Sequence, residues 1–230
     1  METKQIMKMV DHTNLKQGAL VSDFEKLCKE AIEYGFKSVC VHPSQIKLCR
    51  ELLKGSDVLV CTVIGFPLGE NTTEVKAFEA KNAEENGAQE IDMVISNSMA
   101  KRGEFDKITE EINAVVASAP SCTHKVIIET CLLTQEEIEK VTNAVVLSDA
   151  DFVKTSTGFC GQGATVANVA IMKSVTGDKK LIKAAGGVAG AKDAIAMIEA
   201  GASRLGTSKG AVIASELTSG NFTATDDGKY

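Results

Sequence analysis

No run of lysines or arginines occurs anywhere in this chain, and its net charge is −6. A partner such as nucleic acid or an anionic membrane surface calls for a basic patch, so neither is expected. Any anionic ligand must therefore be held by local donors. No apolar stretch approaches the roughly 18–20 residues that cross a bilayer. The three histidines, His12, His42 and His124, form no ligand-spaced cluster, so no metal is expected. The seven cysteines are odd in number, scattered, and lack a C-x-x-C pair. With no secretory leader at the N-terminus, they read as reduced thiols of a cytoplasmic protein. No G-x-G-x-x-G follows the first apolar run, which argues against a doubly wound dinucleotide fold. No linker or change of composition divides the chain. Residues 1–230 are expected to form one domain, with 221–230 a flexible tail.

What the chain does contain is one alternation, repeated. Short apolar runs occur at 9–12, 38–42, 58–66, 90–96, 125–130, 151–156, 180–185 and 203–208. Between them lie segments of helical spacing. Phe24, Leu27, Cys28, Ala31 and Ile32 form one stripe behind a capping-box spacing at Ser22–Glu25; Thr134 and Glu137 repeat that box ahead of Ile138, Val141 and Val145. The entries YGFKSVCV, NGAQEIDMV and AGASRLGTS each read as a helix end with Gly near C′, then a strand. Eight such units imply parallel strands joined by right-handed crossovers, and 230 residues fit a closed (β/α)8 barrel.

In such a barrel, chemistry belongs at the carboxyl ends of the strands. There the chain places Asp11 and His12, His42, Asp92, Glu129, Lys154 with Thr155, Lys183, and Gly206 with Ser208. Lys154 and Lys183 stand on consecutive strands about 4.8 Å apart. Mutual repulsion and desolvation both favour a free amine, the form that attacks a carbonyl. Spacing alone does not say which lysine is the nucleophile. Asp92 either neutralises the pair or shuttles protons, and Asp11 is a second charge partner or a turn-former. Gly158, Gly186, Gly187 and Gly206 with Ser208 follow the last three strands, where barrel loops often cradle phosphate. A phosphorylated carbonyl compound is the implied substrate.

Taken together, DHTNL, CVHPS, CTVIGFPLG, EIDMVIS, KVIIET, DFVKTSTGF, KAAGGV and GASRLGTS resemble the deoxyribose-phosphate aldolases, and they run nearly end to end. The resemblance implies a Schiff base on Lys154, proton transfer by Asp92 and Lys183, and phosphate contacts from Gly158, Gly186, Gly187, Gly206 and Ser208. It implies no cofactor, with a small phosphorylated sugar and acetaldehyde as the partners. Dimers are common among such barrels, so a homodimer is expected, although no interface signature stands out. Another lysine aldolase, a phosphate-binding barrel isomerase and a catalytically silent barrel are the rival readings. The chain departs from the family at Ala189, where arginine is frequent, and at Lys209, where a small residue is usual. Lys209 is expected to supply the missing cation. Some members end in a tyrosine that reaches the site, and this chain ends in Tyr230.

Overall fold

The computed structural model describes residues 2–222; Tyr230 and most of the expected tail lie outside that span. Eight strands close into one barrel: β1 (Val10–Asn14), β2 (Ser38–Val41), β3 (Leu59–Ile64), β4 (Glu90–Val94), β5 (Thr123–Ile127), β6 (Phe152–Lys154), β7 (Leu181–Ala185) and β8 (Arg204–Thr207). Each pairs in parallel with its sequence neighbour, and β1 closes the ring against β8. Every run predicted to be a strand overlaps one, although β1 extends two residues past its run and β5 begins two residues before its own. No helix among the described residues is long and apolar enough to cross a membrane.

The local signals act largely as their chemistry requires. Thr134 caps the helix Gln135–Leu147 by accepting the Glu137 N–H, while the Glu137 carboxylate accepts the Thr134 N–H at 2.7 Å. The earlier box is differently placed. The helix Val21–Tyr34 begins before Ser22, and Asp23 caps it by accepting the Leu20 N–H at 2.8 Å. That helix ends at Gly35 in the left-handed region (φ 67°), which lets the Phe36 N–H reach the Ala31 carbonyl at 3.0 Å. The chain thus turns directly into β2.

Side chains of alternate parity face opposite sides of the sheet. The outward set, including Val10, Val39, Val41, Val60, Ile91, Val126, Val153, Ile182 and Leu205, joins the helices in one hydrophobic shell. The inward set is far more polar. Asp11, Ser38, Glu90, Asp92, Lys125, Lys154, Lys183 and Arg204 are all buried inside the ring. A small apolar group, Leu15, Cys40, Cys61 and Val63 with Phe66, completes the interior on the β1–β3 side.

Candidate active site

The interior charges form one connected ladder. Asp92, at the middle of β4, is its hub: its Oδ2 accepts from Lys154 Nζ and from Lys183 Nζ, both at 2.7 Å. Its Oδ1 accepts from Lys125 Nζ at 2.9 Å and from the Cys61 thiol at 3.2 Å. Lys183 bridges onward to Asp11 Oδ2 at 2.5 Å, and Lys125 to Glu90 at 2.8 Å. Arg204 Nη1 closes the base, 2.8 Å from Asp11 Oδ1 and 2.8 Å from Glu90. Register makes this possible, since Lys154 stands beside Lys183, and Lys183 beside Arg204.

Burial is costly to every charge here, yet the partners decide the outcome. Burial pushes the Asp92 carboxyl up, but Lys125, Lys154 and Lys183 outweigh it and hold the group well below the usual range. Burial likewise works against a charged Lys183, and Asp11 and Asp92 override it, keeping the ammonium above the ordinary lysine range. Repulsion between the two lysines therefore does not govern Lys183, contrary to the expectation from spacing. Four cations share three carboxylates, leaving one positive charge in excess. Lys154 makes one ion pair, whereas Lys183 and Lys125 are each held by two or more carboxylates. Lys154 is also the one lysine of the ladder with measurable side-chain exposure, 4% against 0%. It ends β6 and faces the mouth.

Asp11 is a charge partner of Lys183 and Arg204 rather than a turn-former. Thr155 lies outside the ladder: its hydroxyl donates to the Ala185 carbonyl and accepts the Ala185 N–H, both at 3.1 Å, fastening β6 to β7. Lys183 sits mid-strand in β7, not at its end. His12 points out of the barrel, with Nε2 2.7 Å from Glu30 and its ring 5.1 Å from Phe36. The donor groups Cys40, Cys61, Asp92 and Asp11, Cys61, Glu90 have metal-like spacing. The Lys125 ammonium fills the cation position between them, touching Asp92, Glu90 and Cys61.

Lys125, Glu90 and Arg204 were not singled out from the sequence, although parity pointed to them. Glu90 shares a face with Asp92, Arg204 with Gly206, and Lys125 pairs with Asp92 across the sheet. Glu129 also carries more than its place at a strand end suggested. It is buried with a left-handed backbone (φ 51°), rare for a residue with a side chain. Its carboxylate accepts the Thr157 N–H at 3.2 Å and also the Thr157 hydroxyl, so it clamps the loop leaving Lys154. Burial raises this carboxyl above the usual range, against the pull of those hydrogen bonds.

Beyond β6 and β7 the loops pack backbone to backbone. A Cβ at Gly186 would lie 2.9 Å from Gly163 Cα and 3.5 Å from Gly158 Cα, and Gly186 and Gly187 both have positive φ (77° and 78°). Among the described residues, the N–H groups of Gly158, Gly187, Val188 and Ser208 find no acceptor. They cluster where the loops after β6, β7 and β8 meet. The start of the helix Ala191–Glu199 is, by contrast, already capped: Asp193 accepts the Ala189 and Gly190 N–H groups, and Glu216 that of Ala191.

Gly206 has a nearer task than the phosphate contact expected of it. It faces the interior, where a Cβ would lie 2.9 Å from Ala185 Cβ and 3.0 Å from Lys183 Cε. Gly206→Ala should push Lys183 off its two carboxylates. The expected result is a fall in kcat of about tenfold or more, on the scale that misplacing a reacting group by about 1 Å produces, with KM for a phosphorylated substrate little changed. Steady-state kinetics decide it, because a raised KM at unchanged kcat would make Gly206 a ligand contact instead.

A parallel eight-stranded barrel with amines gathered on one carboxylate below its glycine-rich end defines a class by architecture, the barrels with a buried lysine centre. The sequence profile described as DeoC/LacD family aldolase matches residues 5–218, and the chain belongs to that family. It is 53% identical over 220 residues to the deoxyribose-phosphate aldolase of Carboxydothermus hydrogenoformans, covering 94% of this chain and 96% of that one. To the enzyme of that name from Metamycoplasma arthritidis it is 54% identical over 210 residues, covering 91% and 97%. Among solved structures, the tetrameric deoxyribose phosphate aldolase of Aeropyrum pernix superposes with a TM-score of 0.89 at 30% identity, covering 96% of this chain and 94% of that one.

Proposed function

We propose that this protein reversibly cleaves 2-deoxy-D-ribose 5-phosphate to D-glyceraldehyde 3-phosphate and acetaldehyde through an imine on Lys154. The observation that carries this reading is the pair of amines, Lys154 and Lys183, hydrogen-bonded to the same oxygen of Asp92. A nucleophilic amine must first give up a proton. The ladder carries one cation more than its carboxylates balance, so it can lose one and become neutral. We assign that loss to Lys154, which has the fewest anionic partners and faces the mouth.

The Lys154 amine adds to the C1 carbonyl, and Lys183, kept as an ammonium, gives the proton that lets the carbinolamine expel water. The protonated imine draws electrons as the C2–C3 bond breaks. The C3 hydroxyl loses its proton and C3 leaves as the aldehyde of glyceraldehyde 3-phosphate. The enamine left on Lys154 takes a proton at C2, and water releases acetaldehyde and restores the amine. Because both amines share Asp92 Oδ2, a proton passes between them through a single atom. The apolar wall of Leu15, Cys40, Val63 and Phe66 suits the two-carbon fragment. The free N–H groups of Gly158, Gly187, Val188 and Ser208 suit the phosphate. A homo-oligomer is the expected state, as in the tetrameric relative.

The reaction is tested by treating the protein with a chelator, removing the chelator by dialysis, and then adding 2-deoxy-D-ribose 5-phosphate while an alcohol dehydrogenase reports acetaldehyde through NADH oxidation. Acetaldehyde should appear at an undiminished rate. No acetaldehyde, or release only after a divalent metal is restored, would reject the reading.

The phosphate subsite gives a second expectation. Lys209 directly precedes the helix Gly210–Ser219, half-buried, and makes no ion pair with the described residues. Its N–H donates to the Thr207 hydroxyl at 2.9 Å, which fixes its backbone beside Ser208. A lysine there opposes the helix dipole, a cost of a few tenths of a kcal/mol or more that a bound phosphate dianion reverses. Lys209→Ala should raise KM for the phosphorylated substrate several-fold and leave cleavage of 2-deoxyribose unchanged. Equal effects on both substrates, or none on either, would remove Lys209 from the phosphate site.

A further inference from the structure

At the amino ends of the strands, opposite the mouth, lies a basin of about 630 Å³. Lys8, Lys37, Asp57, Phe152, Leu181 and Arg204 are among the residues that line it. Its wall is apolar. Leu181 is 50% exposed and Ile32, also on the wall, 47%, while Phe36, Val58 and Phe152 lie behind them. Its unpaired charge is positive, with Lys8 and Lys37 against Asp57, in a chain that is acidic overall. Neither Lys8 nor Lys37 has an ion-pair partner among the described residues.

Arg204 connects this basin to the ladder. Its side chain is 8% exposed and its guanidinium stacks 5.3 Å from the Phe152 ring centre. Nη1 is committed inward to Asp11 and Glu90. Nη2 and Nε find no acceptor among the described residues, and they are not sealed from solvent. A guanidinium has five donors in a planar fork, suited to a phosphate or carboxylate. An arginine so deeply buried, with one edge unpartnered in a cationic basin, is built to meet an anion.

We propose that this basin is a second ligand site, for a small organic phosphate with an apolar body, and that its occupant acts on the ladder through Arg204. Lys8 and Lys37 carry their charges unpaired, and Arg204, whose charge is shared with Asp11 and Glu90, adds the free edge of its guanidinium, so the basin offers a phosphate cationic donors from three sides. The exposed Ile32 and Leu181 suit a hydrocarbon or aromatic body better than a sugar, which distinguishes this ligand from the reaction's own phosphates. An anion on Nη2 and Nε competes for the same guanidinium that steadies Asp11 and Glu90. It loosens the carboxylate that holds Lys183, so occupancy lowers kcat without raising KM.

The binding half stands on the basin alone, whereas the effect on turnover rests on the proposed aldol chemistry. Phenyl phosphate is the probe. Titration of the intact protein, followed by methyl NMR, should shift the Ile32 and Leu181 signals. In the Lys8→Gln/Lys37→Gln double variant the Kd at these methyls should weaken by about tenfold or more, since two charge-assisted contacts are lost. Inorganic phosphate should bind more weakly than phenyl phosphate. In steady-state cleavage of 2-deoxyribose, phenyl phosphate should depress kcat at constant KM in the parent and not in the double variant. Unmoved Ile32 and Leu181 signals, or the same Kd in both proteins, would refute the site. Binding with unchanged kcat would refute the coupling through Arg204, and a protein without cleavage activity would leave the titration to decide the site.

Discussion

Lys154→Met should lose turnover by about four orders of magnitude or more while the protein becomes no less stable. The catalytic half follows from the imine. Without a primary amine at the mouth no covalent electron sink forms, and the remaining groups only bind and polarise. The stability half follows from charge. Removing Lys154 leaves three cations on three carboxylates, and Asp92 keeps Lys183 and Lys125. A methionine of similar length fills the space without a desolvated charge, and replacing buried charge by apolar packing is often neutral or stabilising. Thermal melting and coupled kinetics on the same preparation read both halves. A variant that unfolds, or one that retains more than about a hundredth of parental kcat, would contradict this assignment.

Asp92→Asn should do the opposite to the balance and fail on both counts. Asp92 is wholly buried and accepts from Lys154, Lys183, Lys125 and Cys61. The amide leaves four cations on two carboxylates, three of them with side chains at or near full burial. Breaking a buried ion pair from one side costs about 3–5 kcal/mol. For a domain of this size each kcal/mol is worth about 2–4 °C, so the melting temperature should fall by roughly 6–20 °C. Turnover should drop by about 10²–10⁴-fold, because the atom shared by the two amines no longer takes up a proton. A variant with parental stability and low activity would confine Asp92 to chemistry. One with lowered stability and intact turnover would confine it to charge neutralisation.

The contrast between these variants bears on what can be read from a linear chain. Lys154 and Lys183 were visible because each interrupts an apolar run with a charge that burial penalises. Asp92 was visible for the same reason. Glu90, Lys125 and Arg204 stood at the leading edges of their runs, where a polar residue reads as a loop flank. Strand parity puts them on the face of Asp92 and Gly206, and closure of the ring joins them into the lower rungs. The eight strands were legible as short apolar runs between helical stripes, and before β2, β4 and β8 a glycine-bearing helix end marks the entry. Serine does the glycine's work before β6, where the Ser148 hydroxyl donates to the Val145 carbonyl and accepts the Ala150 N–H.

Other features depended on geometry that spacing does not carry. Glu129 clamps Thr157 because its backbone is left-handed, and no local pattern marks a glutamate for that conformation. Gly206 looked like its neighbours in the glycine-rich loops, but it lies within β8 facing the Lys183 stem. The loops after β6 and β7 were legible as glycine-rich; their close backbone packing was not. Whether the free N–H groups there hold phosphate is a matter for the Lys209 and Gly206 variants together, because one should move KM and the other kcat.

The central claim is that Lys154, and not Lys183 or Lys125, carries the covalent intermediate. It is tested most directly by reducing the protein with borohydride in the presence of acetaldehyde, digesting it, and locating the ethylated lysine by mass spectrometry. Only an imine is reduced to a stable secondary amine under these conditions. The account predicts modification confined to Lys154 and absent from Lys154→Met. Modification of Lys183 or Lys125 in the parent protein, or no modification at all under turnover conditions, would contradict it.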